Sequence, residues 1–183
     1  ELVDRLAEIL IPFGFPQAVS GSGWKSRFEL GDDELRRQAR FVDDLLQRDS
    51  FATALGLMNE WTISWATCQI HVEGQWLGRG QRGRAANLLG AIAAVGKDPD
   101  LQHLLTDDQR ALGEFWHLLS ELRNAYHHHG MRAQVLVGNP GLSAKLERVL
   151  TYWQNLRSCP ELSLELGESG SGPIVVSPIG RRP

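Results

Sequence analysis

The ten residues from Arg123 to Arg132 hold side chains whose types and spacing could do chemistry. They include an Arg-Asn pair, three consecutive histidines and a second arginine after Gly130. A histidine with an ordinary pKa of about 6.5 moves a proton readily near neutral pH. An arginine stays charged and stabilises negative charge that develops on a phosphate. With Asn124 to orient the phosphate or a histidine, these residue types favour metal-free cleavage of RNA through its 2′-hydroxyl group.

The three adjacent histidines, His127, His128 and His129, also have the composition of a metal-binding tract. Successive side chains on a helix diverge by about 100°, however, so three neighbours do not all face one ion. No carboxylate or cysteine pattern nearby completes a ligand set. We therefore expect no metal and no other cofactor at this segment.

A long helix is expected to carry the Arg-Asn pair and the histidines. Thr106 and Gln109 form a capping box at its start, and Gly130 is typical of a helix end. Between them runs the strongest amphipathic stripe of the chain: Leu112, Phe115, Trp116, Leu119, Leu122 and Tyr126. On an ideal helix His127 shares the face of Arg123, whereas His128 is rotated by about 140°. Either the last turn unwinds near Gly130, or two chains build the site together.

Helical spacing also dominates elsewhere, and no strong alternating pattern precedes residue 174. Further helices are predicted near residues 2–10, over residues 85–95 and over about 142–156. Two more are predicted to begin at Asp32 or Asp33 and at Asp49 and Ser50, which would act as N-caps. Residues 16–26 are expected to be a loop. The predicted fold class is an all-α bundle of five or six helices over residues 1–158. A linker at 159–172 and a strand-like tail at 173–183 follow it.

The glycines Gly78, Gly80 and Gly83, with Asp98 twenty residues on, match a dinucleotide-binding fingerprint. Such a site needs a buried strand before the glycines and another that carries the acid, and the flanking sequence predicts neither. The purely structural interpretation is a flexible loop between helices. Its arginines, Arg79, Arg82 and Arg84, leave open a mobile basic loop that contacts RNA phosphates.

Three further side chains have both a structural and a functional interpretation. Glu60, within an apolar helix, could be a base or the partner of an arginine. Trp24 and Trp76 could stack on bases, although packing in a core or loop is the more common role.

The composition is that of a globular domain with a core. Of the 183 residues, 42% are hydrophobic and 22% charged, and the formal charge of −3 excludes a globally basic nucleic-acid binder. The two cysteines, Cys68 and Cys159, form no metal-binding or disulfide pattern. With no apolar stretch long enough for a bilayer, we expect a cytoplasmic protein without membrane contact. Glu1 in place of Met, and the strand-like end, suggest a piece of a longer protein.

The segment with Arg123, Asn124, His128 and the sequence Gly130-Met131-Arg132 resembles the R-x4–6-H motif of the HEPN ribonuclease superfamily. Together with its flanking residues, the segment resembles the CRISPR-associated type III members, in which a HEPN domain is joined to a CARF sensor domain. The sequence Asn59-Glu60-Trp61 is weakly similar to the second long helix of that family.

This resemblance implies a metal-independent endoribonuclease that cleaves single-stranded RNA in antiviral defence. It implies a homodimer with one composite site, products with 2′,3′-cyclic phosphate ends, and activation by a cyclic oligoadenylate. That ligand would bind a sensor domain outside this sequence, or one that begins in the tail at 173–178.

The resemblance also assigns roles by position. Arg123 would stabilise the phosphate, Asn124 would orient it, and His128 would be the catalytic histidine, with His127 and His129 as alternates. Arg132, together with Arg79 and Arg82, would contact RNA phosphates.

Three other hypotheses stay open. The chain could be a catalytically silent HEPN-like module for dimerisation or RNA binding, an unrelated helical bundle whose histidines are fortuitous, or a toxin that pairs with an antitoxin.

Overall fold

In a computed structural model of the chain, residues 30–70, 79–128 and 140–158 are described. Throughout these ranges the protein is all-α, with no strand. The elements are α1 (Asp32–Gln47), α2 (Phe51–Gln69), α3 (Arg79–Lys97), a 3₁₀ turn (Gln102–Leu104), α4 (Asp107–His128) and α5 (Pro140–Ser158). This confirms the all-α class. The predicted helix near residues 2–10, the loop at 16–26, Trp24, Trp76, Cys159, the linker and the tail lie outside the described residues.

The core is built around α2, which packs against α1, α3 and α4. Ten of its nineteen residues are buried, so the helix has almost no solvent face along its middle. Its buried hydroxyl groups do not need partners on other helices. Thr62, Ser64 and Thr67 each donate to the backbone carbonyl oxygen four residues earlier, at 2.7 to 2.9 Å. An apolar helix can therefore carry polar side chains without a large cost in stability.

Two tryptophans join α1, α2 and α5. The indole N–H of Trp61 donates to the carbonyl oxygen of Leu35 on α1 at 2.8 Å. The ring of Trp61 meets that of Trp153 on α5 edge to face, with centroids 4.9 Å apart. Trp153 in turn donates to Asp43 on α1 at 2.9 Å. Because both donors are satisfied, these large rings stay buried without leaving an unpaired polar group.

The prediction that Asp32 or Asp33 is the N-cap of α1 is wrong. Gly31, in extended conformation, occupies the N-cap, and its carbonyl oxygen accepts the first helical bond from Leu35 at 3.0 Å. Asp32 and Asp33 instead lie in the first turn, where their negative carboxylates interact favourably with the positive end of the helix dipole. For α2, Ser50 stands at the N-cap as predicted, but its side chain makes no capping bond. Asp49 makes the turn before it with a positive φ of 55°.

The expected loop over the glycine-rich segment is also wrong for residues 79–83. Helix α3 begins at Arg79 and includes Gly80 and Gly83, so the helix is longer at both ends than residues 85–95. Each glycine costs a helix only about 1 kcal/mol relative to alanine, which tertiary contacts can offset. Those contacts come from Arg82, whose guanidinium group binds α2.

The start of α4 confirms the predicted capping box. The backbone N–H of Gln109 donates to the hydroxyl oxygen of Thr106 at 3.2 Å, and the Thr106 N–H donates to the Gln109 amide oxygen at 3.0 Å. Helix α5 is close to its predicted bounds and begins at Pro140, a residue favoured in the first turn. No helix in the described ranges is long and apolar enough to cross a membrane.

Helices α3 and α4 approach closely at Gly113. A Cβ atom at this position would lie 3.1 Å from both the Ala93 Cα and the Ile92 carbonyl oxygen. Both are backbone atoms, which cannot rotate away, so a side chain at position 113 must push the helices apart.

We therefore predict that Gly113→Val lowers the free energy of unfolding by about 1–3 kcal/mol, as overpacked cores do. Urea unfolding followed by circular dichroism measures this. The control is Gly90→Val on α3, because a Cβ there meets no atom within 4 Å. Equal effects of the two substitutions would contradict the close crossing.

Candidate functional site

Helix α4 continues without a break through Arg123, Asn124 and His128. The backbone is thus helical across the whole Arg-to-His spacing, and positions 123 and 128 are offset by about 140° around the helix axis. The sequence left open that the last turn unwinds before His128. The helix instead stays intact up to that residue. His127 and His128 are described only as helical positions, and His129 and Arg132 lie outside the described residues.

Arg123 is half-buried between α4 and α2. Its Nη1 atom donates to the side-chain Oδ1 of Asn59, which is 3% exposed, over a distance of 3.5 Å. This is longer than a normal N–H···O bond of about 2.9 Å, so the contact is weak. The Nε atom of Arg123 is buried and has no hydrogen-bond partner within the described part of the chain. The guanidinium group is therefore held in place but only partly satisfied.

The surroundings of Arg123 differ from those of most other described arginines. No carboxylate among residues 30–70, 79–128 and 140–158 forms an ion pair with it. Ion pairs with nearby carboxylates instead occupy Arg36, Arg37, Arg48, Arg82, Arg110, Arg148 and Arg157. A partly buried cation that lacks a counter-charge attracts an anion, and the planar guanidinium group matches a phosphate.

Tyr126 lies one turn after Arg123 on α4, and its hydroxyl group is buried without a hydrogen-bond partner among the described side chains and backbone. Burial raises the pKa of this phenol above its ordinary value. Asn124, by contrast, is exposed. The half-buried edge of α4 thus carries two polar groups, the Arg123 Nε and the Tyr126 hydroxyl, that the described residues leave without a hydrogen-bond partner.

The arginines at positions 79, 82 and 84, where the sequence predicted a loop, have surroundings that differ from those of Arg123. Arg82 is bound to α2: its Nη2 pairs with the Glu60 carboxylate at 2.7 Å, and its Nη1 donates to the Ser64 hydroxyl at 3.0 Å. The Arg82 side chain is only 19% exposed, and its guanidinium group already binds α2. Little of it is therefore left to bind an RNA phosphate. Arg79 and Arg84 are exposed on the first turns of α3. For Glu60, the role of arginine partner is the one observed.

A second polar cluster joins α3, α4 and α5. Lys97 contacts the Nδ1 atom of His117 at 3.0 Å, and the His117 Nε2 atom lies 3.3 Å from the Glu121 carboxylate. Lys145 on α5 binds the same carboxylate at 2.8 Å, and this hydrogen bond is the main cause of the lowered pKa of Glu121. The cluster holds two lysines for the single carboxylate of Glu121, and its contacts tie α3, α4 and α5 together.

In the described ranges, no group of three or more histidine, cysteine, aspartate or glutamate side chains is arranged to hold a metal ion. Residues 79–83 are helical, not a strand-to-helix turn, which removes the basis of the dinucleotide fingerprint. The contact that the sequence does not indicate is Arg123 with Asn59. These residues are 64 positions apart, and no periodic pattern relates them.

Comparison with protein-family models, with curated proteins and with solved structures finds no match for this chain.

Because the Tyr126 hydroxyl group is buried without a partner, we predict that Tyr126→Phe raises the free energy of unfolding by about 1 kcal/mol at pH 7. The matched control, Tyr152→Phe, removes the hydrogen bond from that hydroxyl to Glu114 and should lower it by a similar amount. Denaturant unfolding of both variants measures the difference. A loss of stability in Tyr126→Phe would mean that its hydroxyl is satisfied.

The raised pKa of Tyr126 adds a pH dependence with a defined sign. The unfolded chain releases the phenolic proton at a pH of about 10, before the folded chain does, so stability falls as the pH rises above that value. Tyr126→Phe should remove part of this alkaline loss. Tyr152, whose pKa is also raised by burial, supplies another part.

Proposed function

We propose that this chain is a HEPN-type, metal-independent endoribonuclease domain that cleaves single-stranded RNA. The observation that carries the proposal is the half-buried guanidinium group of Arg123, which has a neutral amide as its described partner. A phosphodiester would supply the missing negative charge. The Arg-Asn-x3-His order on one helix supplies the remaining chemistry.

The reaction needs two proton transfers and stabilisation of one charged centre. A histidine takes the proton of the ribose 2′-hydroxyl as its oxygen attacks the phosphorus atom. The bond to the 5′-oxygen breaks, and this oxygen leaves with a proton from a second acid. Arg123 stabilises the extra negative charge on the phosphate in the transition state. The products are a 2′,3′-cyclic phosphate and a 5′-hydroxyl end, and no metal takes part in any step.

The offset between positions 123 and 128 supports a site shared by two copies of the chain. On one continuous helix these positions lie about 140° apart, so a single phosphate is not approached from both. In a two-fold dimer, Arg123 of one copy and His128 of the other can face the same phosphate. His127 and His129 are the alternates for the catalytic histidine, because the run of three leaves the choice open.

The other assigned residues would contact the RNA backbone. Asn124 is exposed next to Arg123 and would orient the phosphate, and Arg79 and Arg132 would contact neighbouring phosphates. In the wider proposal, the domain is an effector of type III CRISPR defence. A cyclic oligoadenylate, bound by a sensor domain outside this sequence, would switch it on in the cytoplasm.

The test is cleavage of a fluorescent single-stranded RNA in EDTA, at high protein concentration, with and without cyclic oligoadenylates on the longest available form of the chain. We expect wild type to cut, and Arg123→Ala and His128→Ala to lose activity by about 100-fold or more. The matched control is Arg48→Ala, because Arg48 lies on α1 in an exposed ion pair with Asp44. Its activity should equal that of wild type.

Equal cleavage by all variants would mean that the activity comes from elsewhere. Cleavage that stops in EDTA would contradict the metal-free mechanism. No cleavage by any form, with the RNA still bound, would replace the proposal with a silent RNA-binding or dimerisation module.

A further inference from the structure

Two adjacent residues of α2 contact two arginines in chemically different ways. Glu60 points outward and forms an ion pair with Arg82 on α3 at 2.7 Å. Asn59 is buried and accepts from Arg123 on α4 at 3.5 Å. The same helix therefore neutralises the charge of one arginine and leaves the charge of the other in place.

The neutrality of Asn59 has a consequence for what Arg123 can bind. Aspartate has nearly the shape of asparagine, and at position 59 its carboxylate would lie at ion-pair distance from the guanidinium group. It would compete directly with a phosphate oxygen, because an arginine that is paired in a partly buried site gives up its partner only at a cost. An apolar side chain at this position would leave the Nη1 atom without its acceptor. An amide holds the group without satisfying its charge.

We infer that Asn59 is a positioning residue that fixes Arg123 for an RNA phosphate while it leaves the positive charge of that arginine available. This inference rests on the proposed function and extends it to α2, 64 residues away from the motif. The Nε atom of Arg123 is buried on the same side, so this edge of the guanidinium group faces the fold.

The test separates binding from cleavage by using a single-stranded 2′-O-methyl RNA, which has no free 2′-hydroxyl group and is not cut. Its dissociation constant is measured as a function of salt, since each phosphate contact adds about 0.7 to the logarithmic slope for a single strand. Arg123→Ala and Asn59→Asp should each lower the slope by about 0.7. The control Asn87→Asp makes the same change at an exposed position on α3 and should keep the wild-type slope.

A second variant separates charge from position. Asn59→Ala leaves the charge of Arg123 free but removes its acceptor, so the salt slope should stay at the wild-type value. The kcat for cleavable RNA should fall by roughly 10-fold, because the phosphate is no longer aligned. A residue with a purely structural role would change thermal stability without this difference between the salt slopes of the two variants. Circular dichroism verifies that each variant is folded, and Asn59→Ser replaces Asn59→Ala if that variant is not.

The outcomes distinguish the inference from the proposed function. Suppose that wild type binds the uncut RNA and that Asn59→Asp lowers the salt slope, but that wild type cleaves no RNA. The proposed nuclease then fails and the positioning role stands. If wild type cleaves and Asn59→Asp retains the full slope, the nuclease stands and the positioning role is overturned. If wild type neither binds nor cleaves single-stranded RNA, both are overturned.

Discussion

The long hydrogen bond between Arg123 and Asn59 lies where a guanidinium group is partly inside the fold and no carboxylate of the described residues pairs with it. A cation in such a position costs stability, because it loses hydration that the protein does not fully replace. Arg37 and Arg82, which are also mostly buried, each have a carboxylate partner. The helices around Arg123 must therefore supply enough packing to offset the cost of holding this side chain.

That packing comes from α2 and the tryptophans attached to it. Asn59 occupies a fixed place because the residues around it on α2 are buried, and Trp61 two positions later links α1 and α5 through Leu35 and Trp153. The Arg82–Glu60 pair holds α3 against the same stretch of α2. The candidate site thus lies against the buried centre of the bundle. Such packing would serve the proposed reaction, in which a phosphate must be aligned within a fraction of an ångström.

Local patterns in the sequence predicted much of this fold, and tertiary contacts are what they missed. The Thr106–Gln109 capping box and the stripe on α4 are signals within one or a few turns, and both correspond to observed features. The glycines at 80 and 83 indicated a loop because propensity alone disfavours a helix there, and the Arg82 contacts with α2 outweigh it. Asn59 was singled out only through its resemblance to a family helix. Its contact with Arg123 has no signature in spacing, since it depends on how two helices pack.

The most direct measurement is the nuclear magnetic resonance signal of the Arg123 Nε–H group, assigned by its absence from the spectrum of Arg123→Lys. The uncut 2′-O-methyl RNA is titrated into wild type until binding saturates. We expect this signal to shift with the occupancy of the RNA site, because a phosphate bound to the guanidinium group changes the electronic environment of its Nε–H. Saturated binding with an unchanged Arg123 signal would contradict it.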